Sequence, residues 1–94
     1  MLTEGGLLKV KVQATGIGKI DFEIFDGATV EDLLDQLYAE HSCSLSNLIN
    51  PKTGKPYSFV NVWVNSVSIR ELAGFETKLR ERDVLIIFRP SAGG

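Results

Sequence analysis

Apolar and polar side chains alternate along the first quarter of the chain with the period of two that is typical of β-strands. In residues 8–14 the apolar side chains fall at every second position, with Lys and Gln between them. Residues 19–24 repeat this alternation, and Gly16-Ile17-Gly18 separates the two segments. Two alternating segments joined by a short glycine-containing loop predict an antiparallel hairpin with one buried face.

A helical pattern follows the hairpin after a break at Asp26-Gly27-Ala28. Thr29, with Asp32 three positions later, resembles an N-cap with an acidic first turn. The next apolar side chains are spaced three or four positions apart, which predicts one face of a helix about three turns long. We expect this helix to end near His41-Ser42. Its apolar residues are Val30, Leu33, Leu34, Leu37 and Tyr38.

The second half of the chain contains strand patterns separated by loops. Residues 42–56 are rich in turn formers and predict a loop-rich stretch. Residues 59–65 predict a third strand, Asn65-Ser66 a tight turn, and residues 67–70 a short returning strand. Residues 84–88 are apolar on both faces, as expected of a central strand.

This order of elements predicts an α+β fold. The last strand needs neighbours on both sides, and the position beside the first strand satisfies that need. The result is a β-grasp, or ubiquitin-like, architecture, in which a mixed sheet of four to five strands packs on one main helix. We expect a flexible leader at 1–6, the domain at 7–89 and a flexible tail of small residues at 90–94.

Composition and charge exclude several classes of function. The chain has 94 residues, enough for one domain, and a net charge of −2 with scattered Lys and Arg, so nothing indicates nucleic-acid binding. The longest apolar run, residues 84–88, is far too short to span a membrane, and the N-terminus lacks the pattern of a signal peptide. We therefore expect a cytoplasmic protein with neither a membrane nor a nucleic acid as a partner.

The single cysteine and the single histidine do not predict a catalytic or metal site. Cys43 has no second cysteine for a disulfide, and His41 with Cys43 provides too few ligands for zinc. No other histidine is available as a base for a thiol nucleophile. A self-contained enzyme is therefore the class of function that the residues favour least.

Four segments together resemble the ubiquitin-like sulfur-carrier superfamily, which includes the small subunit of molybdopterin synthase and the carrier of the thiamine pathway. The resemblance extends from about Leu7 to Gly94. The ending Phe-x-Pro-x-Ala-Gly-Gly is most similar to the molybdopterin-synthase small subunit. The four segments are residues 9–12, residues 26–34, residues 62–65 and residues 83–94.

The resemblance implies that the C-terminal carboxylate of Gly94 is the working group. A ubiquitin-activating-type adenylyltransferase would consume ATP to adenylate it, and a sulfurtransferase or persulfide donor would convert it to a thiocarboxylate. The large subunit of molybdopterin synthase would hold the catalytic side chains and receive sulfur for the dithiolene of the pterin cofactor. This chain itself would bind no cofactor and no metal.

The tail residues fit entry into a partner's active site. Gly93 has no side chain, so its backbone can enter a narrow channel, and Pro90 fixes its own φ at the root of the tail. Ser91 and Ala92 complete the segment that we expect to insert. A frayed end that carries two glycines by chance is the alternative interpretation of the same residues.

Docking on a partner needs a surface as well as a tail. If the helix covers one face of the last strand, Ile86 and Phe88 face outwards, and Trp63 is the candidate aromatic on the neighbouring strand, with Phe59 on the same face. The resemblance implies docking through this sheet face with Phe88 in the contact. Residues 66–83 could instead cover Trp63 or Phe88. Arg89 could pair with acidic groups on a partner or be merely solvated.

Other functions remain open on the sequence. The activated Gly94 could be joined to lysines, as in a ubiquitin-like protein modifier, or its sulfur could go to thiamine or transfer RNA. A β-grasp binding module without tail chemistry is the third class. The sequence also departs from the family pattern, with Ser66 and Arg82 where glycine is common. If either position needs a positive φ, we expect a cost of about 1 kcal/mol.

Overall fold

The computed structural model describes residues 6–89. Within them the order of hairpin, helix and strands follows the sequence prediction. The leader before Gly6 and the tail from Pro90 to Gly94 lie outside the described residues. The elements are β1 (Leu7–Ala14), β2 (Gly18–Phe25), α1 (Val30–Leu45), β3 (Ile49–Asn50), β4 (Lys55–Pro56), β5 (Asn61–Val64), β6 (Val67–Ser68), two 3-10 turns (Ile69–Glu71 and Gly74–Glu76) and β7 (Val84–Phe88).

Strands β1 and β2 form the predicted antiparallel hairpin, in register from Leu7 with Phe25 to Ala14 with Gly18. The connecting turn depends on Gly16, whose φ is +101°. A Cβ at this position would lie 3.0 Å from the backbone oxygen of Ser44, so the turn sits directly against the end of the helix. Only glycine meets both conditions without strain.

Helix α1 begins with the predicted capping box. The Thr29 side chain accepts a hydrogen bond from the Asp32 amide at 3.3 Å, and the Asp32 carboxylate accepts one from the Thr29 amide at 2.9 Å. The regular helical geometry breaks at the predicted position near His41-Ser42. His41 is a kink with φ −132° and ψ 36°, and the helix then continues to Leu45, whose side chain is fully buried and holds the final turn against the core.

The main sheet has five strands in the order β2-β1-β7-β5-β6. Strand β7 lies at its centre, parallel to β1 and antiparallel to β5. This is the β-grasp, ubiquitin-like fold that the sequence predicts. Residues 42–56, predicted as loops, also contain the small antiparallel sheet of β3 and β4. The buried core includes Val10, Val12, Ile24, Leu33, Leu34, Leu37, Leu85 and Ile87.

Two predicted strands are shorter than expected. The third strand begins at Asn61, because a turn precedes it in which the Val60 amide donates to the Tyr57 carbonyl at 2.9 Å. Phe59 therefore lies in that turn and not on the strand face with Trp63. The returning strand covers only Val67–Ser68, after which the chain coils into the first 3-10 turn.

The turns at one end of the sheet hold three non-glycine residues in left-handed backbone conformations, of which Asn65 has φ 51°. Ser66 has φ 73° and Arg82 has φ 68°. Asn65 and Asp83 join the turns through a side-chain hydrogen bond of 2.8 Å. The expectation of strain at the two positions that lack the usual glycine is thus supported by their backbone angles.

We predict that Ser66→Gly and Arg82→Gly each raise the free energy of unfolding by about 1 kcal/mol, because glycine adopts a positive φ without a Cβ clash. Urea titration followed by circular dichroism measures the change. Ser68→Gly is the matched control. Ser68 already has a negative φ of −62° with ψ 138°, so this variant should not be more stable than the wild type. A loss of stability in both glycine variants would contradict the assigned turn geometry.

Candidate partner-binding face and the root of the tail

The two faces of β7 have opposite environments. Leu85 and Ile87 are fully buried in the core beneath the helix. Ile86 and Phe88 point to the other side and are half-buried, as the alternation along the strand predicts. An apolar stripe therefore runs along the centre of the sheet on the face that the helix does not cover.

Trp63 extends this stripe onto the neighbouring strand. It is directly opposite Ile86 in the β5–β7 register, and its ring meets Phe88 edge-on, with centroids 5.4 Å apart and planes at 80°. This is a favourable aromatic geometry. Trp63, Ile86 and Phe88, here called the apolar patch, are each half-buried, so the segment 66–83 leaves part of every side chain accessible.

Towards β2 the same sheet face carries charged pairs, with the exposed apolar pair of Leu7 and Phe25 at its far end. Lys11 and Asp21 pair across β1 and β2 at 3.7 Å, with side chains 72% and 86% exposed, so this ion pair adds little to stability. Lys9 and Glu23 are also cross-strand partners and exposed. An apolar centre with a charged border is the usual anatomy of a protein–protein interface.

A second cluster marks the point where β7 ends and the tail begins. The Arg89 guanidinium carbon lies 5.3 Å from the centre of the Phe59 ring. Phe59 in turn stacks on Tyr57, with centroids 5.3 Å apart and planes 4° from parallel. Tyr57, Phe59 and Arg89, here called the aromatic–arginine stack, adjoin the end of the strand that carries the apolar patch.

The predicted site residues thus divide into two groups. Ile86, Phe88 and Trp63 lie together on one face, and Arg89 lies at its edge. Gly94, the predicted reactive residue, and the insertion segment Gly93, Ala92, Ser91 and Pro90 lie outside the described residues. Sequence reasoning missed Tyr57, and the signal available for it was the pair of aromatic residues separated by one position, at 57 and 59.

Cys43 and His41 lie away from this arrangement. Cys43 is exposed on the last turn of the helix, and His41 is the half-buried kink residue. Within the described part of the chain, no three His, Cys, Asp or Glu side chains form a group that could hold a metal ion. Between residues 6 and 89, no helix has the length and apolar character needed to cross a membrane.

The fold and this exposed face define a small ubiquitin-like domain. Comparison with protein-family models then matches residues 11–94 to the ThiS family. The chain belongs to the ThiS family, a group of ubiquitin-like sulfur carriers and protein modifiers. Proteins of this kind are typically not catalysts themselves.

Individual relatives agree with this assignment. Small archaeal modifier protein 3 of Haloferax volcanii is 35% identical over 82 residues, which cover 87% of each chain. The solution structure of the HVO 2177 protein of Haloferax volcanii is 30% identical with a TM-score of 0.75, and the match covers 100% of this chain and 93% of that one. A chain of the BexX/CysO complex from Amycolatopsis orientalis is 27% identical, with a TM-score of 0.68 and coverages of 90% and 99%.

Proposed function

We propose that this protein is a sulfur carrier that acts as the small subunit of molybdopterin synthase. The observation that carries the proposal is the position of Arg89, which directly follows the central strand β7 beside the apolar patch. The tail therefore begins at the edge of the apolar patch. Docking of the patch on a partner would therefore bring the tail to that partner's active site.

Sulfur transfer by the tail needs two activated forms of Gly94, first an acyl adenylate and then a thiocarboxylate. A carboxylate is a poor electrophile, so an adenylyltransferase would join Gly94 to AMP from ATP with release of pyrophosphate. The terminal sulfur of a persulfide donor would then displace AMP, and a thiol would cleave the resulting acyl disulfide to leave the thiocarboxylate. That anionic sulfur is the nucleophile for the dithiolene of the pterin cofactor.

The small side chains and the length of the tail suit the delivery of sulfur to a partner's active site. Gly93 and Gly94 have no side chains to obstruct a narrow channel, and Pro90 restricts the backbone at the start of the tail. Five residues reach roughly 17 Å when fully extended, which is enough to enter a buried pocket. In this proposal the large subunit provides the catalytic side chains, and the chain described here provides the sulfur.

The apolar patch would form the centre of the docking surface. Trp63, Ile86 and Phe88 combine aromatic and aliphatic area that is already half-desolvated, and such residues dominate binding energy at interfaces. The same surface would serve the adenylyltransferase and the synthase large subunit in turn, since each must receive the same tail. The BexX/CysO complex supports a partner-binding role for this class of domain.

Protein modification is the second candidate function. The observation that favours it is the 35% identity to small archaeal modifier protein 3. A modifier would use the same adenylate, but Gly94 would form an isopeptide bond with a lysine of another protein instead of receiving sulfur. Thiamine and transfer RNA are alternative sulfur acceptors after the same activation.

Intact mass spectrometry tests the proposal. The protein is incubated with ATP, its cognate adenylyltransferase and a persulfide donor, and we expect a mass gain equal to the exchange of one oxygen for one sulfur at Gly94. A variant that ends at Gly93 is the control and should stay unmodified if Gly94 is required. An unmodified wild-type protein with a competent cognate enzyme would contradict the sulfur-carrier proposal and leave a β-grasp binding module.

The acceptor is identified in a second step. The thiocarboxylated protein is mixed with the large subunit and the sulfur-free pterin precursor, and formation of the dithiolene supports the synthase role. Lysine-linked adducts of this chain on other proteins, in cells that contain the intact tail, would support the modifier role. Absence of dithiolene product together with such adducts would overturn the synthase assignment.

A further inference from the structure

The Arg89 guanidinium is held on an aromatic ring and not on a carboxylate. The ion pair found among residues 6–89 joins Lys11 and Asp21, so no acidic side chain in that range pairs with Arg89. A guanidinium 5.3 Å above the Phe59 ring centre is within the range of a cation–π contact. A guanidinium that packs its face on a ring keeps the donor N–H groups at its edge available for a planar acceptor.

The ring beneath Arg89 is half-exposed and stacks on a residue, Tyr57, that packs against the core. Phe59 stacks on Tyr57, the Tyr57 amide donates to the Leu48 carbonyl at 3.0 Å, and Leu48 is buried. The Val60 amide closes the turn on the Tyr57 carbonyl at 2.9 Å. Because both ends of the turn are held, the stack restricts the positions that Arg89 can adopt before any partner arrives.

Two further cations near this turn are held by neutral groups. The Lys55 ammonium lies 5.4 Å from the Phe75 ring centre, and the Arg70 guanidinium donates to the Ser58 carbonyl at 3.5 Å. Ser58 neighbours Phe59 in the chain, so Arg70 and Arg89 approach the same turn from two elements. Positive charge that is not neutralised within residues 6–89 complements a negatively charged surface.

We infer that the stack of Tyr57, Phe59 and Arg89 positions the Arg89 guanidinium to bind a carboxylate of the enzyme that activates the tail. This inference rests on the proposed function, because it names a contact made during adenylation. Arg89 would bind the carboxylate directly, and Phe59 and Tyr57 would act through it as positioning residues. A pre-organised arginine loses less conformational freedom on binding, which favours recognition of the carrier.

The test measures KM and kcat for adenylation with the whole protein and its cognate adenylyltransferase. Phe59→Leu keeps an apolar side chain and removes the ring, and we expect KM to rise about 2- to 5-fold with kcat unchanged. Arg89→Ala should raise KM about 10-fold or more. Phe59→Tyr should have the wild-type KM, because it keeps an aromatic ring under the guanidinium.

A double variant distinguishes a positioning role of Phe59 from an independent contact that Phe59 makes with the enzyme. If Phe59 acts through Arg89, the Phe59→Leu change should add little to KM once Arg89→Ala is present. Phe25→Leu is the matched control, because Phe25 is also half-exposed, at 46%, but lies on edge strand β2. It should leave KM unchanged. The wild-type KM should rise with salt, and this dependence should weaken in Arg89→Ala.

A spectroscopic signature tests the stack without activity. The Arg89 δ protons should show an upfield ring-current shift in NMR spectra that disappears in Phe59→Leu and persists in Phe59→Tyr. An unchanged KM in Phe59→Leu, or fully additive effects in the double variant, would overturn the inference while thiocarboxylation of the wild type remains intact. A wild-type protein that the adenylyltransferase cannot activate would overturn the proposed function and this inference with it.

Discussion

Replacement of Leu85 by alanine is expected to lower the free energy of unfolding by about 2–5 kcal/mol, the usual cost of deleting a fully buried leucine side chain. Leu85 is 0% exposed and lies between Val12 of β1 and Val64 of β5 in the register of the sheet. The cavity would therefore open at the junction of three strands, where the backbone cannot collapse to fill it. This is the largest stability effect that we predict.

The neighbouring position provides the matched control. Ile86 lies on the opposite face of the same strand and is half-buried, so Ile86→Ala should cost only about 1 kcal/mol. Thermal unfolding measures both changes, and for a domain of this size each kcal/mol corresponds to roughly 4–8 °C in Tm. Equal losses for Leu85→Ala and Ile86→Ala would contradict the assignment of the two faces.

Phe88→Asp is expected to lower the affinity for either proposed partner, the large subunit or the adenylyltransferase, by about 30-fold or more. The change removes an aromatic ring from the apolar patch and places a charge that would be desolvated in the interface. It also removes the edge-on contact with Trp63, whose centroid lies 5.4 Å away. This is the largest functional effect that we predict outside the tail.

Leu7→Asp is the control for the Phe88 variant. Leu7 is 61% exposed on the same sheet face, at the start of β1, where it pairs with Phe25. In the parallel pairing of β1 with β7, Phe88 lies about eight residues further along β1 than Leu7. At about 3.3 Å per strand residue, this separates the two positions by about 26 Å. Calorimetric titration should show full binding for Leu7→Asp. Equal affinity of the Phe88→Asp variant and the wild type would contradict the docking surface.

Elements with strong local patterns could be predicted from the sequence. The hairpin of β1 and β2 and the capping box at Thr29 and Asp32 follow from alternation and from side chains that bond to nearby backbone. The central position of β7 follows from its apolar residues on both faces. In each case the controlling interaction lies within the element or its immediate neighbour.

Features set by tertiary contacts could not be predicted. The helical segment beyond the kink at His41 ends at Leu45, whose buried side chain keeps this turn against the core, and local propensity alone does not fix how far the segment extends. Phe59 leaves the strand pattern because the Tyr57–Val60 turn interrupts it.

The residues of the candidate site likewise divide into those that a local pattern predicts and those that only tertiary contacts reveal. Period-two alternation along β7 placed Ile86 and Phe88 on one face, and the structure shows that the opposite face, with Leu85 and Ile87, is the buried one. The prediction that the tail carries the reactive group rests on the resemblance to a family and not on any periodicity. The stack of Arg89 on Phe59 joins residues thirty positions apart in the chain, so only the antiparallel pairing of β5 with β7 reveals it.

The central position of β7 has a consequence for biosynthesis. The ribosome releases β1, β2 and α1 first, yet β1 and β5 share no ladder until the last strand enters between them. A chain terminated before Val84 could neither close the core nor display the apolar patch. Only molecules synthesised through the end of β7 can therefore fold completely and form the apolar patch that we propose as the docking surface.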